Sequence, residues 1–162
     1  MNLYFLRHGL ADRSAWDGPD HARPLTEKGK QRMAQQARFI EKLNLNLDYI
    51  ASSPLTRALQ TAQIVAQQLG MEGKLIEDER LSPGFGIYEL QELIQSLPEV
   101  NAIMLVGHEP DFSTTMSDLI GGGEVACKKG SLARIDLYDM VKLKGELVWL
   151  IPPKALAMEV EG

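Results

Sequence analysis

Short apolar runs alternate along this chain with longer segments in which apolar residues recur at helical spacing. The pattern predicts strands at 2–6, 47–51, 73–77 and 102–107, and helices at 26–43, 54–69, 87–97 and 110–120. Strands that are joined through helices pair in parallel, with right-handed crossovers and helices on both faces of the sheet. We therefore predict an α/β fold: a single three-layer α/β/α domain with a mainly parallel sheet.

The last part of the chain has a different pattern. Residues 131–138 alternate between apolar and polar, and a second strand-like run covers 145–151. Two such runs with a short connection pair as antiparallel strands, so we expect an antiparallel edge on the sheet. Glycines 121–123 are expected to end the helix before them, and the tail after Pro153 is expected to fray.

The length, the net charge and the cysteine content of the chain limit the number of domains, the partners and the compartment that we expect. The 162 residues fit one domain that spans 1–162, and the net charge of −5 argues against a nucleic-acid partner. The single cysteine, Cys127, excludes an internal disulfide and fits a reducing compartment, and we expect it to be buried or inert. We find no pattern of a secretory signal or a membrane-spanning helix, so we expect a cytoplasmic protein without a membrane partner.

Basic and imidazole side chains follow three of the predicted strands. Arg7 and His8 come directly after the first strand, and His108 comes directly after the strand at 102–107. Arg57 lies in the first turn of the helix that follows the second strand. Because the carboxyl ends of parallel strands meet at one edge of a sheet, we expect these four side chains to lie together.

Two histidines and two arginines at one edge indicate phosphoryl chemistry. Guanidinium groups bind phosphoryl oxygens in bidentate pairs, and the N–H groups at a helix start add further donors. A neutral imidazole can attack phosphorus, and neighbouring arginines favour the neutral form by lowering its pKa. The histidines lack the compact spacing of metal ligands, so we expect neither a metal nor a cofactor.

Four blocks of the sequence resemble, in their proper order, the motifs of the histidine phosphatase superfamily, also called the phosphoglycerate mutase-like superfamily. They are Leu-Arg-His-Gly at 6–9, Arg-Pro-Leu-Thr-Glu-Lys-Gly at 23–29, Ser-Ser-Pro-Leu-Thr-Arg-Ala-Leu-Gln-Thr-Ala at 52–62, and Val-Gly-His-Glu-Pro at 106–110. The small size and the segment at 147–153 are most similar to the SixA-type branch of phosphohistidine phosphatases. The resemblance covers nearly the whole chain.

The resemblance implies a role for each matching residue. His8 would be the nucleophile that forms a phosphohistidine intermediate, and Arg7, Arg57 and His108 would bind the transferring phosphoryl group. Glu109 follows the second histidine and resembles the acid of the acid-phosphatase branch. The alternative is that Glu109 turns outward or caps the helix from Pro110.

A general acid is not evident elsewhere. Glu77, Asp78 and Glu79 form an acidic cluster where mutase-like relatives place their acid, but an ordinary solvated charge run is the favoured interpretation. Phosphohistidine tolerates the lack of an acid, because imidazole leaves a labile P–N bond more readily than an alkoxide leaves an ester.

Three functions stay open at this point. The favoured one is a metal-independent phosphatase that removes phosphate from phosphohistidine on a protein, such as a histidine-phosphotransfer domain. The second is a small-molecule phosphomonoesterase or mutase, although the chain is short for a full mutase. The third is a noncatalytic phosphate-binding module, against which the intact set of histidines and arginines argues.

The polar loop at 10–23 directly follows the predicted nucleophile, and we expect it to shape access for the substrate. His21 in this loop is expected to be exposed to solvent rather than catalytic. Trp16 is either an anchor of a lid or a contact for a partner.

Overall fold

A mixed sheet forms the middle layer of the protein. In the computed structural model, which describes residues 1–158, its six strands are β1 (Asn2–Arg7), β2 (Tyr49–Ser52), β3 (Leu75–Glu77), β4 (Ala102–Gly107), β5 (Leu132–Asp139) and β6 (Lys144–Ile151). They lie in the order β3-β2-β4-β1-β5-β6. The pairs within β1 to β4 are parallel, whereas β5 is antiparallel to β1 and β6 is antiparallel to β5. The mainly parallel sheet and its antiparallel edge are confirmed.

Helices cover both faces of this sheet. They are α1 (Glu27–Leu43), α2 (Thr56–Leu69), α3 (Ile87–Ser96), α4 (Asp111–Ile120) and the short α5 (Pro153–Leu156). Tyr4 and Leu6 of β1 share a core with α1, α2 and α5, while Leu3 and Phe5 share a second core with α3 and α4. Successive residues of a strand point to opposite faces, so a continuous apolar run is what a strand between two helical layers requires. The three-layer α/β/α prediction is confirmed.

Helix α2 begins later than the sequence predicts. Pro54 is not the first helical residue, because Leu55 has an extended backbone (φ −61°, ψ 134°) and is the residue before the helix. The side-chain oxygen of Ser53 accepts a hydrogen bond from the Leu55 N–H at 3.2 Å and so holds a turn there. Arg57 is nevertheless in the first turn of α2, as predicted.

The ends of two other elements also follow from local geometry. Strand β3 starts at Leu75, because residues 72–74 form a 3-10 turn rather than extended chain. Helix α4 ends as predicted at the glycine run, where Gly121 has a φ of 89° and the Gly122 N–H donates to the Ser117 carbonyl at 2.8 Å.

The chain that follows Pro152 is helical at first. Residues 153–156 form α5, and Leu156 is buried against the core on the side of α1 and α2. Residues 159–162, on which the expectation of a frayed tail also falls, lie outside the described part of the chain. Within residues 1–158, none of the helices combines the length and the apolar character that crossing a membrane requires.

Candidate active site

The predicted phosphoryl site lies where β1, β2 and β4 end side by side. Strand β1 pairs with β4 as far as Arg7 and Gly107, and β2 pairs with β4 as far as Ser52. The His8 N–H donates to the Gly107 carbonyl at 3.1 Å, and the Ser53 N–H donates to the Val106 carbonyl at 3.0 Å. Residues that directly follow these strands are therefore lateral neighbours.

A cavity of about 800 Å³ opens at this edge of the sheet. The residues that the sequence singled out all line it: Arg7, His8, Arg57, His108 and Glu109. The rings of His8 and His108 are buried, and their centroids lie 5.3 Å apart. The structure therefore brings the candidate residues into one pocket, and their catalytic roles stay predictions.

The surroundings of His8 fix which ring nitrogen carries the hydrogen. Its Nδ1 lies 2.7 Å from the Gly9 carbonyl oxygen, which can only accept, so Nδ1 donates and Nε2 keeps its lone pair. The Gly9 N–H donates to the Thr61 hydroxyl at 3.1 Å, and that hydroxyl donates to the Arg57 carbonyl at 2.8 Å. Helix α2 thereby anchors the backbone that orients the imidazole, and Nε2 is the atom suited to nucleophilic attack.

Both histidines are neutral near pH 7. Burial lowers the pKa of His8 to about 3; the hydrogen bond to Gly9 opposes this effect, and the nearby His108 and arginines add to it. Burial also lowers the pKa of His108 to about 4, with the charge of Arg57 as the next cause. The lowered pKa of His8 agrees with the sequence-based expectation, but burial contributes more than the arginines do.

These pKa values predict that the protein loses stability in acid. The histidines of the unfolded chain take up protons below about pH 6.5, whereas His8 and His108 in the folded protein do so only near pH 3 to 4. The free energy of unfolding should therefore fall as the pH drops from about 6.5 to 4, by up to about 1.4 kcal/mol per pH unit for each histidine. Urea unfolding between pH 7 and 4.5 measures this slope.

Two histidine variants provide the comparison for this slope. His8→Asn should give a shallower dependence on pH, because it removes one of the two buried rings. His21→Asn is the control for the loss of a histidine that is not buried, since His21 is exposed as expected from the sequence. A slope that is the same in His8→Asn and in the wild type would contradict the pKa of His8.

The guanidinium groups of Arg7 and Arg57 are held in place by hydrogen bonds that use some of their N–H donors. Arg7 donates to the Cys127 carbonyl at 2.9 Å, and Arg57 donates to the carbonyl and the carboxylate of Asp20 at 2.9 and 3.2 Å. The Nε of each arginine is buried and has no hydrogen-bond partner within residues 1–158. Donors of this kind are what a phosphoryl group needs.

Cys127 is buried, which raises its pKa to about 12, so its thiol is inert as expected.

The structure adds two residues to which the sequence gave no role. Arg23 is buried, lines the cavity, donates to the Ala11 carbonyl and pairs with the Asp20 carboxylate at 3.3 Å. Although burial opposes the shift, Arg57, Arg23 and Arg13 together hold the pKa of Asp20 below its usual value. Arg23 begins the sequence block at 23–29, which was a signal of its importance. No sequence signal marked Asp20, because the position of its side chain depends on the path of a loop.

Glu109 caps a helix, which is one of the alternatives drawn from the sequence. Its carboxylate accepts hydrogen bonds from the backbone N–H of Ser113, at 3.0 Å, and from the Ser113 hydroxyl in the first turn of α4. It also lines the cavity, so it is not turned away from the site. The acidic cluster at 77–79 contributes nothing to the described lining of this cavity, and Asp78 pairs with Arg80 at 2.6 Å.

The loop at 10–23 forms part of the cavity wall. It is anchored at its start because the Thr26 N–H donates to the Leu10 carbonyl at 3.0 Å. Trp16 is half-buried and donates from Nε1 to the Pro19 carbonyl at 2.9 Å, a contact within its own loop.

Within residues 1–158, no group of three or more His, Cys, Asp or Glu side chains is placed to hold a metal ion.

Comparison with known protein families identifies the chain. The model of the histidine phosphatase superfamily (branch 1) matches residues 3–114, which include all five candidate residues. The chain belongs to this superfamily. An uncharacterized protein of Picosynechococcus sp. is 37% identical over 113 residues, which are 68% of each chain. The probable phosphoglycerate mutase GpmB of Escherichia coli is 36% identical over 104 residues, and the match spans 61% of this chain but only 45% of that mutase.

Several solved structures share the fold. The protein histidine phosphatase SixA, complexed with tungstate, superposes with a TM-score of 0.85 at 23% identity, over 96% of this chain and 99% of that one. A putative phosphohistidine phosphatase SixA from Agrobacterium tumefaciens gives 0.77 at 24% identity, over 94% and 98%. A mycobacterial glucosyl-3-phosphoglycerate phosphatase gives 0.68 at 19% identity, over 90% and 96%. Superfamily and fold together indicate a phosphatase, which is a hydrolase.

Proposed function

We propose that this protein hydrolyses phosphohistidine on other proteins, with His8 as the nucleophile and without a metal ion. Arg7, Arg57 and His108 bind the transferring phosphoryl group. The buried neutral ring of His8, with its Nε2 lone pair in a pocket of arginines, supports the choice of nucleophile. The arginines supply the positive charge that a metal ion supplies in other phosphoryl-transfer sites.

The observation that carries the choice of substrate is the state of the carboxylates at the site. Both oxygens of Glu109 are engaged by Ser113, and Asp20 is paired with arginines that hold its pKa low. Asp12, which also lines the cavity, bonds to Ser14, and these bonds lower its pKa. Carboxylates that are ionised, or whose oxygens already accept hydrogen bonds, are poor proton donors, so the site suits a leaving group that needs no acid.

In the first step, the Nε2 lone pair of His8 forms a bond to phosphorus while the P–N bond of the substrate breaks. The electron pair of that bond stays on the substrate imidazole, which leaves as a neutral ring when its other nitrogen carries a proton from solvent. Phosphoryl oxygens bind to N–H donors of Arg7 and Arg57, which are in place before the reaction begins.

In the second step, water attacks phosphorus and the bond from phosphorus to the His8 Nε2 breaks. The electron pair returns to Nε2, both protons of the water remain on the phosphate, and dihydrogen phosphate leaves. His8 returns to the neutral form with its hydrogen on Nδ1, which the Gly9 carbonyl continues to hold. Each turnover therefore consumes one water and one proton from solvent, and it restores the starting state of His8.

The proposal predicts a marked preference among substrates. A phosphorylated histidine-phosphotransfer protein should be hydrolysed with a kcat/KM about 10²- to 10⁴-fold above that of sugar phosphates or phosphoglycerate, because only esters need the missing acid. A panel of these substrates at neutral pH, with EDTA present throughout, measures this ratio. Activity that returns only when a metal is added would contradict the metal-independent mechanism.

A pair of glutamate variants refines this experiment. Glu109→Gln should barely change the hydrolysis of phosphohistidine, because its role in the structure is to cap α4. Glu99→Gln is the matched control. Glu99 is exposed and lies before the start of β4, whereas Glu109 follows the end of that strand. A large loss with every substrate in Glu109→Gln, together with a sugar phosphate as the best substrate, would indicate a small-molecule phosphomonoesterase. Binding of phosphate without any turnover would indicate a noncatalytic module.

A further inference from the structure

His108 has one ring nitrogen with a hydrogen-bond partner and one without. Its Nε2 lies 2.7 Å from the side-chain oxygen of Ser53, and its Nδ1 is buried with no partner within residues 1–158. Ser53 is itself fully buried. The direction of the hydrogen bond between these two side chains therefore decides what His108 offers to a bound group.

The other contact of Ser53 sets that direction. Its Oγ accepts a hydrogen bond from the Leu55 N–H at 3.2 Å, so one of its lone pairs is already in use. Its hydroxyl hydrogen needs an acceptor, because a buried donor without one is destabilising. In the described part of the chain, the hydrogen bonds of this oxygen are those to Leu55 and His108. The lone pair on the His108 Nε2 is thus the acceptor for the hydroxyl.

We infer that Ser53 is a positioning residue, which donates to Nε2 of His108 and thereby keeps the hydrogen of that imidazole on Nδ1. The inference rests on the proposed function, because it makes Nδ1–H the donor to an oxygen of the transferring phosphoryl group. His108 lines the cavity beside His8, and Nδ1 is the polar atom of its ring that is left for a ligand.

The alternative tautomer would have the opposite effect. With the hydrogen on Nε2, the Nδ1 lone pair would repel a negatively charged phosphoryl oxygen. Because the ring is neutral at pH 7, no second proton corrects this arrangement. Ser53 therefore converts a neutral histidine into an oriented donor, which needs no reorganisation when charge develops on the phosphoryl group.

The tautomer can be measured in the wild-type protein without any substrate. In protein labelled with ¹⁵N-histidine, long-range proton–nitrogen correlations at pH 7 should show the His108 Nδ1 protonated and Nε2 unprotonated. His108→Asn assigns the signals. The reverse pattern in the wild type would overturn the inference.

Ser53→Ala tests whether the serine is the cause. We expect the hydrogen of His108 to redistribute toward Nε2 and kcat for the small P–N compound phosphoramidate to fall about tenfold or more, as when an orienting partner is lost from a functional histidine. Ser52→Ala is the matched control, because Ser52 is an equally buried serine whose hydroxyl donates to the Ser53 carbonyl at 2.9 Å. It should keep the wild-type tautomer and kcat.

The two readouts separate the failure of this inference from that of the proposed function. If Ser53→Ala keeps the wild-type tautomer and kcat, the inference is wrong while the phosphatase stands. If the wild type hydrolyses neither phosphoramidate nor a phosphoprotein, the proposed function fails, and the tautomer still decides the role of Ser53. If Ser53→Ala does not fold, Ser53→Cys serves in its place, because a thiol is a weak hydrogen-bond donor of similar size. In Ser53→Cys, the tautomer of His108 with its hydrogen on Nδ1 should be present at a lower population than in the wild type.

Discussion

His8→Ala should lower turnover of phosphohistidine by a factor on the order of 10⁶, which is the scale of loss when a covalent nucleophile is removed. The ring of His8 is buried, neutral and oriented by Gly9, and Ala cannot form a bond to phosphorus. In the wild type, samples that are quenched in base during turnover should carry acid-labile phosphate on His8. Mass spectrometry of the quenched protein locates this phosphate.

His21→Ala is the matched control for this experiment, since His21 is the exposed histidine of the chain. It should retain wild-type turnover. Phosphate found on His108, or full activity in His8→Ala, would reject His8 as the nucleophile. It would leave the fold assignment untouched, because that depends on the sheet and its helices.

Arg57→Lys should lower kcat by about 10²- to 10³-fold, although it preserves the positive charge. The guanidinium of Arg57 donates to two oxygens of Asp20 while its Nε has no partner within residues 1–158. A lysine places all its donors on one nitrogen, so it cannot hold Asp20 and a phosphoryl group in the same geometry. Steady-state kinetics with the phosphoprotein substrate measure the loss.

Arg134→Lys provides the comparison for Arg57→Lys. Arg134 is also an arginine in a close ion pair, with Asp136 at 2.7 Å, but it lies in β5 and outside the described lining of the cavity. Its replacement should leave kcat unchanged. Equal activity of Arg57→Lys and the wild type would remove Arg57 from the group that binds the phosphoryl oxygens.

The parts of the fold that the sequence predicts are those that depend on burial. Strands β1 and β4 are buried between two helical layers, so their continuous apolar runs mark them clearly. His8 and His108 follow the ends of these runs. Because both strands are parallel, the sequence could assign both histidines to the same edge of the sheet. The predicted start of α2 at Pro54 was wrong, because the start depends on a side-chain contact between Ser53 and the Leu55 N–H.

The remaining features of the site depend on loop paths and on hydrogen bonds that local sequence does not specify. Asp20 reaches Arg57 across 37 positions of the chain, and His108 reaches Ser53 across 55. Glu109 could equally have faced outward until its contact with Ser113 was known. The first two contacts form only once the strands are in register, and the third depends on how one side chain turns at the start of α4. Sequence patterns therefore select the candidate residues but not their orientation.

The contact between Asp20 and Arg57 means that an anion that approaches Arg57 also meets the carboxylate bound to that guanidinium. Each phosphoryl oxygen that approaches Arg57 is attracted by the guanidinium and repelled by the carboxylate beside it. A doubly charged phosphoryl group benefits more from several arginines at once than a singly charged ion such as chloride does. Under the proposed function, the same repulsion would act on the phosphate product, so we expect the carboxylate to weaken product binding and to favour its departure.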